Sequence, residues 1–249
     1  SIFYYYICNE QTAKTMKRLA LYLLAIVTAI TFAQAQEIKN PVWSPSWPDP
    51  TVWQGEDGNY YCICTGARKT LVSKDLFHWE IINSSVIDNQ SRIEMRQIAK
   101  HLWAPDVTTI NGQRLLYITL YNSASDSSIG VLKEISPNHF EFRGVITRST
   151  ETGIRDTIDP EVVVDNKKGR VWLFFGSIGK MHRVELTSDG LNVKRGAKYT
   201  HVAGLTDKEN RSRARVFEGC YLHYRNGYWY MFVSAGWYKD HTYRLMVGR

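Results

Sequence analysis

The chain has 249 residues, of which 44% are hydrophobic and 22% are charged, a composition that is ordinary for a globular protein with a sizeable core and that excludes a disordered chain. Its length fits a single all-β domain of the propeller or barrel type. The net charge is +7, but no block of Lys and Arg resembles a nucleic-acid footprint, so no nucleic-acid partner is expected.

The N-terminus has the pattern of a secretory signal peptide. Met16-Lys17-Arg18 is basic, Leu19 to Ala33 is apolar, and Ala33-Gln34-Ala35 offers small residues for cleavage. The apolar run is shorter than the roughly 20 residues that span a bilayer, although an uncleaved anchor is the alternative. The predicted parts are a leader outside the native protein at 1–15, a signal peptide at 16–35 cleaved after Ala35, and a secreted or periplasmic domain without a membrane span at 36–249.

From residue 49 onward the sequence repeats itself. Each copy begins with a short segment that leads into an apolar run, turns at Asp, Asn or Gly, and returns in a second apolar run. Apolar runs bounded by turn residues predict a hairpin of two strands. The aligned first residues, spaced 55, 55 and 59 positions apart, are Asp49, Ala104, Asp159 and Glu218.

The remaining elements follow in the same order within each copy. The copies extend over residues 49–86, 103–142, 159–198 and 218–247. The third strands of the first three copies are predicted at 69–72, 128–132 and 180–186, and the fourth copy lacks an outer strand. Outside the copies, residues 37–48 are predicted to be irregular, and residues 83–100 a polar excursion with one or two helical turns at most, at 93–100.

This periodicity decides the predicted fold class, which is all-β. Units of four short strands that repeat every 40 to 60 residues or so are the signature of a β-propeller. A β-sandwich would not explain the near-constant step. Because a propeller must close on itself to remove sheet edges, the chain is either four-bladed or cut before its last blade.

Three of the four aligned first residues are acids. The innermost strand of each blade lines the central channel, so Asp49, Asp159 and Glu218 are predicted to gather there. Packing alone gives no reason to place three carboxylates together, because they repel and their desolvation is costly. Glycoside hydrolysis needs such a set, with one acid to protonate the leaving oxygen and another to activate water. The alternative is that the Asp-Pro pairs serve only to form turns and that Glu218 is a surface residue. Spacing alone does not assign the catalytic roles to the three acids.

Several segments resemble glycoside hydrolase family 43. They are Trp47-Pro48-Asp49-Pro50-Thr51-Val52, Ser73-Lys74-Asp75-Leu76-Phe77-His78-Trp79, Trp103-Ala104-Pro105-Asp106-Val107, Ile158-Asp159-Pro160 and Glu218-Gly219. The resemblance implies a five-bladed propeller, here truncated within or after its fourth blade, that hydrolyses glycosides with inversion. It also implies that Asp49 is the general base, Asp159 the residue that modulates the pKa and orientation of the acid, and Glu218 the general acid.

The finer resemblance is to endo-acting α-1,5-L-arabinanases. Tyr121-Asn122-Ser123 and Phe174-Phe175-Gly176-Ser177 carry it, together with the segment that begins at Trp103. It implies a polysaccharide or oligosaccharide substrate, arabinan of plant cell walls, and a monomer that requires no cofactor, with a calcium ion in the channel left open. An exo-acting α-L-arabinofuranosidase or β-xylosidase and a non-catalytic carbohydrate-binding propeller are the alternatives.

Three residues are candidates for substrate binding. Trp103 stands beside the position that lacks a carboxylate and is placed to form the floor of a sugar subsite, with a core role as the alternative. Asn122 and Ser177 follow inner-hairpin strands and are candidates to hydrogen-bond sugar hydroxyls, with a turn role as the alternative. Asp106 lies two positions beyond Ala104, where the other three copies carry an acid, and it is interpreted as structural or as a support of the site.

Cysteine and histidine are not predicted to take part in the chemistry. Cys62, Cys64 and Cys220 are expected to be buried free thiols without a disulfide framework. No metal site is predicted, since the spacing typical of metal ligands is absent from His182, His201 and His223.

Overall fold

The computed structural model describes residues 14–19, 21–22, 40–204 and 216–249. It divides into residues 1–40, of which 14–19 and 21–22 are helical, and residues 41–249, which hold all the sheets. Most of the predicted leader and the cleavage site after Ala35 lie outside the described residues. Within the described part, no helix combines the length and the apolar character needed to cross a membrane.

Residues 41–249 form four antiparallel sheets, each built from consecutive strands. Blade 1 contains β1 (Thr51–Gln54), β2 (Tyr60–Ile63), β3 (Thr70–Ser73) and β4 (Trp79–Ile82). Blade 2 contains β5 (His101–Ile110), β6 (Gln113–Ser123), β7 (Asp126–Ser136) and β8 (His139–Arg148). Blade 3 contains β9 (Glu161–Asp165), β10 (Arg170–Phe175), β11 (Lys180–Leu186) and β12 (Thr200–Gly204). Blade 4 contains β13 (Val216–Arg225), β14 (Tyr228–Gly236) and β15 (Arg244–Gly248).

This arrangement confirms the predicted all-β propeller with its four units. In each blade the first strand is innermost, and β1, β5, β9 and β13 follow one another around the channel. Blade 4 has three strands among the described residues, as predicted. A fifth blade and a truncation of the chain stay predictions.

The inner hairpins form where the turn residues predict them. Asn111-Gly112 joins β5 to β6 with φ values of 50° and 77°, and Asn226-Gly227 joins β13 to β14 with 52° and 87°. Two successive residues with positive φ are typical of the type I′ turn, whose twist matches that of the strands it joins. Asn and Gly adopt this conformation at little steric cost.

The hydrophobic core lies between successive blades. Three clusters of buried side chains fill the spaces, with Phe140 between blades 1 and 2, Phe175 between blades 2 and 3, and Phe217 between blades 3 and 4. A hydrogen bond from the buried Tyr117 hydroxyl to the carbonyl oxygen of Gly190, at 2.9 Å, links blade 2 to the loop after β11. Gly190 has a φ of 75°, and a Cβ there would lie 2.5 Å from the Tyr117 hydroxyl, so no larger residue fits.

The helix between blades 1 and 2 is longer than the sequence predicts. α1 (Asn89–Ile98) has ten residues and begins after Asp88, whose carboxylate accepts a hydrogen bond from the Ser91 N–H at 2.9 Å. Such a cap satisfies an otherwise unpaired donor of the first turn. Ser91 and Met95 are buried and Ile98 is half-buried, so the inner face of the helix contains only two apolar residues. The spacing of Asp88 and Ser91 is the signal that would have found it. A second, one-turn helix, α2 (Ser149–Thr152), follows β8.

The outer strand of blade 3 lies beyond the predicted end of the third copy near residue 198. β12 pairs with β11 only after a long loop. This loop is held by hydrogen bonds from the Thr187 N–H to the Asn192 carbonyl oxygen (2.8 Å) and from the Lys194 N–H to the Glu185 carbonyl oxygen (3.0 Å). The loop separates the two strands in sequence, which a pattern of contiguous strands does not reveal.

The alignment of the fourth copy is wrong by one residue. Asp49, Ala104 and Asp159 share a positive φ, at 51°, 36° and 55°. In blade 4 the residue with this conformation is Gly219, at 58°, and not Glu218. Strand pairing agrees, because the register shifts directly after Trp103 in blade 2 and directly after Glu218 in blade 4. Glu218 therefore occupies the position of Trp103. Register depends on the pairing with β14, which no local pattern encodes.

A row of hydrogen bonds joins the innermost strands of successive blades. In each, a main-chain N–H of one blade donates to a side-chain oxygen of the blade before it. The pairs are Val107 with Thr51 at 3.1 Å, Val162 with Asp106 at 2.9 Å, and Leu222 with Glu161 at 3.0 Å. Asp106 thereby has the structural role that the sequence predicts for it.

We expect the buried carboxyl groups of this row to make folding pH-dependent. Burial raises the pKa of Asp106 and of Glu161, so the folded state keeps protons that the unfolded chain releases above about pH 4. The free energy of unfolding therefore falls as the pH rises, by about 1.4 kcal/mol per pH unit for each extra proton. Glu161→Gln keeps an oxygen for the Leu222 N–H and is expected to reduce the loss of thermal stability between pH 5 and pH 8.

Thermal unfolding at the two pH values measures this effect. The matched control is Glu56→Gln, because Glu56 is exposed in the turn after β1. If the stability of Glu161→Gln depends on pH as that of the unaltered protein does, the buried carboxyl group of Glu161 is not a cause of the pH dependence.

Candidate active site

A central cavity of about 980 Å³ opens between the innermost strands of the four blades. The predicted residues Asp49 and Asp159 line it, together with Gly219 and Tyr243. Glu218 lies at its edge, where the Tyr243 hydroxyl donates a hydrogen bond to Oε1 at 3.1 Å. The structure thus brings together three acids that are far apart in the sequence.

Asp49 is the exposed member of this group. It directly precedes β1, and its Oδ2 accepts a hydrogen bond from the Thr65 hydroxyl at 2.6 Å. Its φ of 51° lies in the left-handed region, and the following residue, Pro50, also restricts it. Such strain costs on the order of 1–3 kcal/mol and is characteristic of functional sites. Thr65 was not found from the sequence, because it acts from the end of the second strand.

Asp159 is held by blades 2 and 4. Its N–H donates to the Thr119 hydroxyl at 3.0 Å. Burial raises the pKa of Asp159 well above its usual range, and the nearby charges of Glu218 and Asp49 raise it further. The Gly219 N–H, which hydrogen-bonds to Asp159, opposes this increase in pKa. The three acids therefore lie close enough for their charges to act on one another.

Glu218 lies between two hydroxyl groups. The Ser177 hydroxyl donates to Oε2 at 2.5 Å, and that of Tyr243 donates to Oε1. Burial raises the pKa of Glu218, the two hydrogen bonds lower it, and the charge of Asp49 adds to the increase. Burial also raises the pKa of Tyr243 to about 12, so its hydroxyl stays protonated and remains a donor. The sequence predicts Ser177 as a contact of the sugar; the structure instead places its hydroxyl on Glu218.

A fourth carboxylate near this group escaped the sequence analysis. Asp156 has a φ of 52°, and its N–H donates to the Ala124 carbonyl oxygen at 2.7 Å. Its charge contributes to the raised pKa values of Asp159 and Glu218. Its position three residues before Asp159 is the signal that could have found it.

The two other predicted contacts have different surroundings. Trp103 is half-buried and is stacked between His101 and Tyr121, with ring centroids 5.6 Å and 4.1 Å away. Asn122 uses its amide within the protein: Oδ1 accepts from the Lys100 N–H at 2.9 Å, and Nδ2 donates to the Ile98 carbonyl oxygen at 3.0 Å. It thus fastens the end of α1 to blade 2, which is the structural alternative left open by the sequence.

The described cysteines and histidines do not form a metal site. Cys62, Cys64 and Cys220 are free thiols, as predicted, and Cys64 is only half-buried. In the described part of the chain, no three side chains of His, Cys, Asp or Glu converge to hold a metal ion. A calcium ion in the channel stays a prediction, since calcium also takes carbonyl and water oxygens as ligands, and no step proposed below uses one.

Comparison with known proteins identifies the family. Residues 38–249 match the profile described as Glycosyl hydrolases family 43. The chain belongs to this family. It is therefore a member of the glycoside hydrolases, and the carbohydrate-binding alternative is not favoured.

Two curated relatives and one solved structure are among the most similar proteins. An extracellular endo-α-(1→5)-L-arabinanase of Bacillus subtilis is 28% identical over 253 residues, which cover 95% of this chain and 76% of that protein. An extracellular exo-α-(1→5)-L-arabinofuranosidase of Cellvibrio japonicus is 26% identical over 81% of this chain, which spans 63% of the relative's length. The α-L-arabinanase of Cellvibrio cellulosa complexed with arabinohexaose superposes with a TM-score of 0.66 at 25% identity, over 83% of this chain and 71% of that one.

Proposed function

We propose that this family 43 member is a secreted or periplasmic enzyme that cleaves α-1,5-linked arabinan in a single displacement with inversion. The names of its relatives support arabinan as the substrate and an extracellular location. The predicted signal peptide supports the same location. The endo-acting relative in Bacillus subtilis covers more of the chain than the exo-acting one does, which favours cleavage within the polysaccharide.

One observation carries the catalytic assignment: two acids of the same site have opposite surroundings. Glu218 is half-buried with a raised pKa, which favours its protonated form. Asp49 is exposed and accepts a hydrogen bond from Thr65, which suits a carboxylate that accepts a proton. Acids whose environments differ in this way divide the roles of proton donor and acceptor between them.

The proposed reaction follows from this division. Glu218 donates its proton to the glycosidic oxygen, so the leaving sugar departs as a neutral alcohol. Asp49 removes a proton from a water molecule that attacks the anomeric carbon from the opposite face. Bond formation on one face and bond cleavage on the other invert the configuration. The charges that disfavour ionisation of Glu218 are those of Asp49 and Asp156. Asp159 contributes as an orienting residue, because its carboxyl group accepts a hydrogen bond from the Gly219 N–H and so fixes the turn that follows the acid.

The contacts of Glu218 predict a shift in the pH dependence of the reaction. Removing a hydroxyl that hydrogen-bonds to the ionised acid raises the pKa of Glu218. Because the acid must be protonated to act, we expect the basic limb of kcat/KM to move to higher pH in Ser177→Ala and Tyr243→Phe. Rates on arabinan between pH 4 and pH 9 measure the shift. A basic limb that stays in place in both variants would contradict the assignment of this limb to Glu218.

The size and anomeric form of the products test the proposed function as a whole. Linear α-1,5-arabinan is expected to lose viscosity early and to release a range of oligosaccharides, and nuclear magnetic resonance is expected to detect the β-anomer first. Release of arabinose alone, or of one short product, would assign exo action instead. Retention of the α-configuration would overturn the roles of Asp49 and Glu218, and the absence of any product would overturn the function.

A further inference from the structure

A second groove adjoins the central cavity at Pro48, next to Asp49. This cationic groove, of about 460 Å³, is lined by Trp47, Thr65, Arg68, Lys69, Arg96 and Trp103, among others. Pro48 lines both the groove and the central cavity, and Thr65 donates its hydroxyl to Asp49. A glycan chain bound at the proposed base therefore has the groove directly beside it.

Among the described residues, the cations of the groove have no acidic partners. Arg68, Lys69 and Arg96 are exposed, and in the described part of the chain none of them forms an ion pair. Behind them, Arg92 directs its guanidinium to the carbonyl oxygens of Gly66 and Ala67. Burial, and then the charges of Arg68 and Arg96, lower the pKa of Arg92. The positive charges thus act on one another and are available to an anion, with one guanidinium nitrogen of Arg96 already donating to the Lys100 carbonyl oxygen.

Two of these cations also line the next cavity. Arg68 and Arg96 are shared between the cationic groove and a cavity of about 990 Å³ between blade 1 and α1. The wall of that cavity contains the polar side chains of Asn83, Ser84 and His139 and the carboxylate of Asp88. An extended ligand that leaves the groove would meet the two guanidinium groups and then a surface rich in hydrogen-bonding groups.

The other wall of the groove is aromatic. Trp103 and Trp47 line it, and Trp103 is held in place by its stacking with Tyr121 and His101. Aromatic faces pack against the apolar faces of sugar rings, while a guanidinium group binds a carboxylate through two parallel hydrogen bonds. A neutral sugar would use only the aromatic half of this arrangement.

We propose that the cationic groove binds a uronic acid residue, so that the enzyme takes an acidic polysaccharide in which arabinose chains are attached to, or neighbour, carboxylate-bearing sugars. The link to arabinan cleavage rests on the proposed function, whereas the affinity for uronates does not. Arg68 and Arg96 bind the carboxylate, Lys69 adds its charge, and Trp47, which also lines the groove, supports the sugar ring.

Calorimetric titration with trigalacturonate tests this proposal, with the carboxyl-reduced form of the same trisaccharide as the neutral probe. At low ionic strength we expect the acidic probe to bind about tenfold to a hundredfold more tightly, the range for hydrogen bonds to charged groups. The double variant Arg68→Gln/Arg96→Gln is expected to lose this preference. The control Lys74→Gln/Lys168→Gln removes the same charge at exposed positions elsewhere and is expected to keep it.

Several results would overturn the proposal. They are equal affinity for the two trisaccharides, an equal loss in the control variant, and displacement of trigalacturonate by inorganic phosphate at comparable concentration, which would indicate a simple anion site. Cleavage of neutral arabinan is measured on the same preparations. Uronate binding without arabinan cleavage would overturn the proposed function but support the uronate site in the groove. Arabinan cleavage without a preference for the acidic trisaccharide would support the proposed function but overturn the uronate site.

Discussion

Replacing Glu218 by Gln is expected to lower kcat/KM on arabinan by about 10²–10⁴-fold, the usual contribution of a general acid. The amide has nearly the shape of the carboxylic acid, so Ser177 and Tyr243 keep a partner. It has no proton to give to the glycosidic oxygen, and the leaving sugar must depart as an alkoxide. Steady-state rates on linear arabinan measure the loss.

An activated substrate separates a missing proton from a damaged site. An aryl arabinofuranoside with a nitrophenolate leaving group departs without protonation, so Glu218→Gln is expected to lose far less of its activity on this substrate. Glu56→Gln, an identical change in an exposed turn of blade 1, serves as the control and is expected to retain both activities. A comparable loss on both substrates would remove Glu218 from the role of proton donor.

Replacing Asp49 by Asn is expected to lower kcat/KM by a similar factor of about 10²–10⁴, but on both substrates alike. The attacking water must be deprotonated whichever group leaves, and an amide does not accept that proton. The amide oxygen of Asn still accepts the hydrogen bond of Thr65, so the backbone before β1 is expected to keep its position. The two substrates used for Glu218→Gln measure this pattern.

Asp57→Asn is the matched control, since Asp57 is an exposed aspartate in the same blade. Thermal unfolding of all variants identifies any loss that comes from the fold. A loss in Asp49→Asn that disappears with the nitrophenolate substrate would mean that Asp49 acts on the leaving group, and the proposed division of roles would then be reversed.

Much of the fold could be predicted from local patterns. β11 occurs at the predicted residues, and Asn111-Gly112 and Asn226-Gly227 form the expected hairpin turns. These features arise from side-chain alternation and from turn chemistry, which act over a few residues. α1 was largely missed because only two apolar side chains of the helix, Met95 and Ile98, pack on the core. Two such residues give only a weak helical period in the sequence.

The site was predictable as a set of acids but not as a geometry. Asp49 and Asp159 precede the inner strands of their blades, as the repeat predicts, and Glu218 belongs to the same site although it is one residue out of register. Ser177 and Tyr243, which hold Glu218, lie 41 and 25 residues away from it in the chain. The Ser177 hydroxyl meets the carboxylate because blades 3 and 4 pack against each other, and the Tyr243 hydroxyl does so because the chain returns to β15 within blade 4.

The sequence by itself determined the repeating strands, their turns and the family, because these depend on residue type and short-range spacing. Only the tertiary structure decided which acid is exposed, which is half-buried between two hydroxyls, and which cations share the groove beside them. The physical reason is that burial and electrostatic coupling depend on distances in space between blades. Glu218 acquires its raised pKa from burial among residues that are distant in the sequence, and not from its neighbours in the chain.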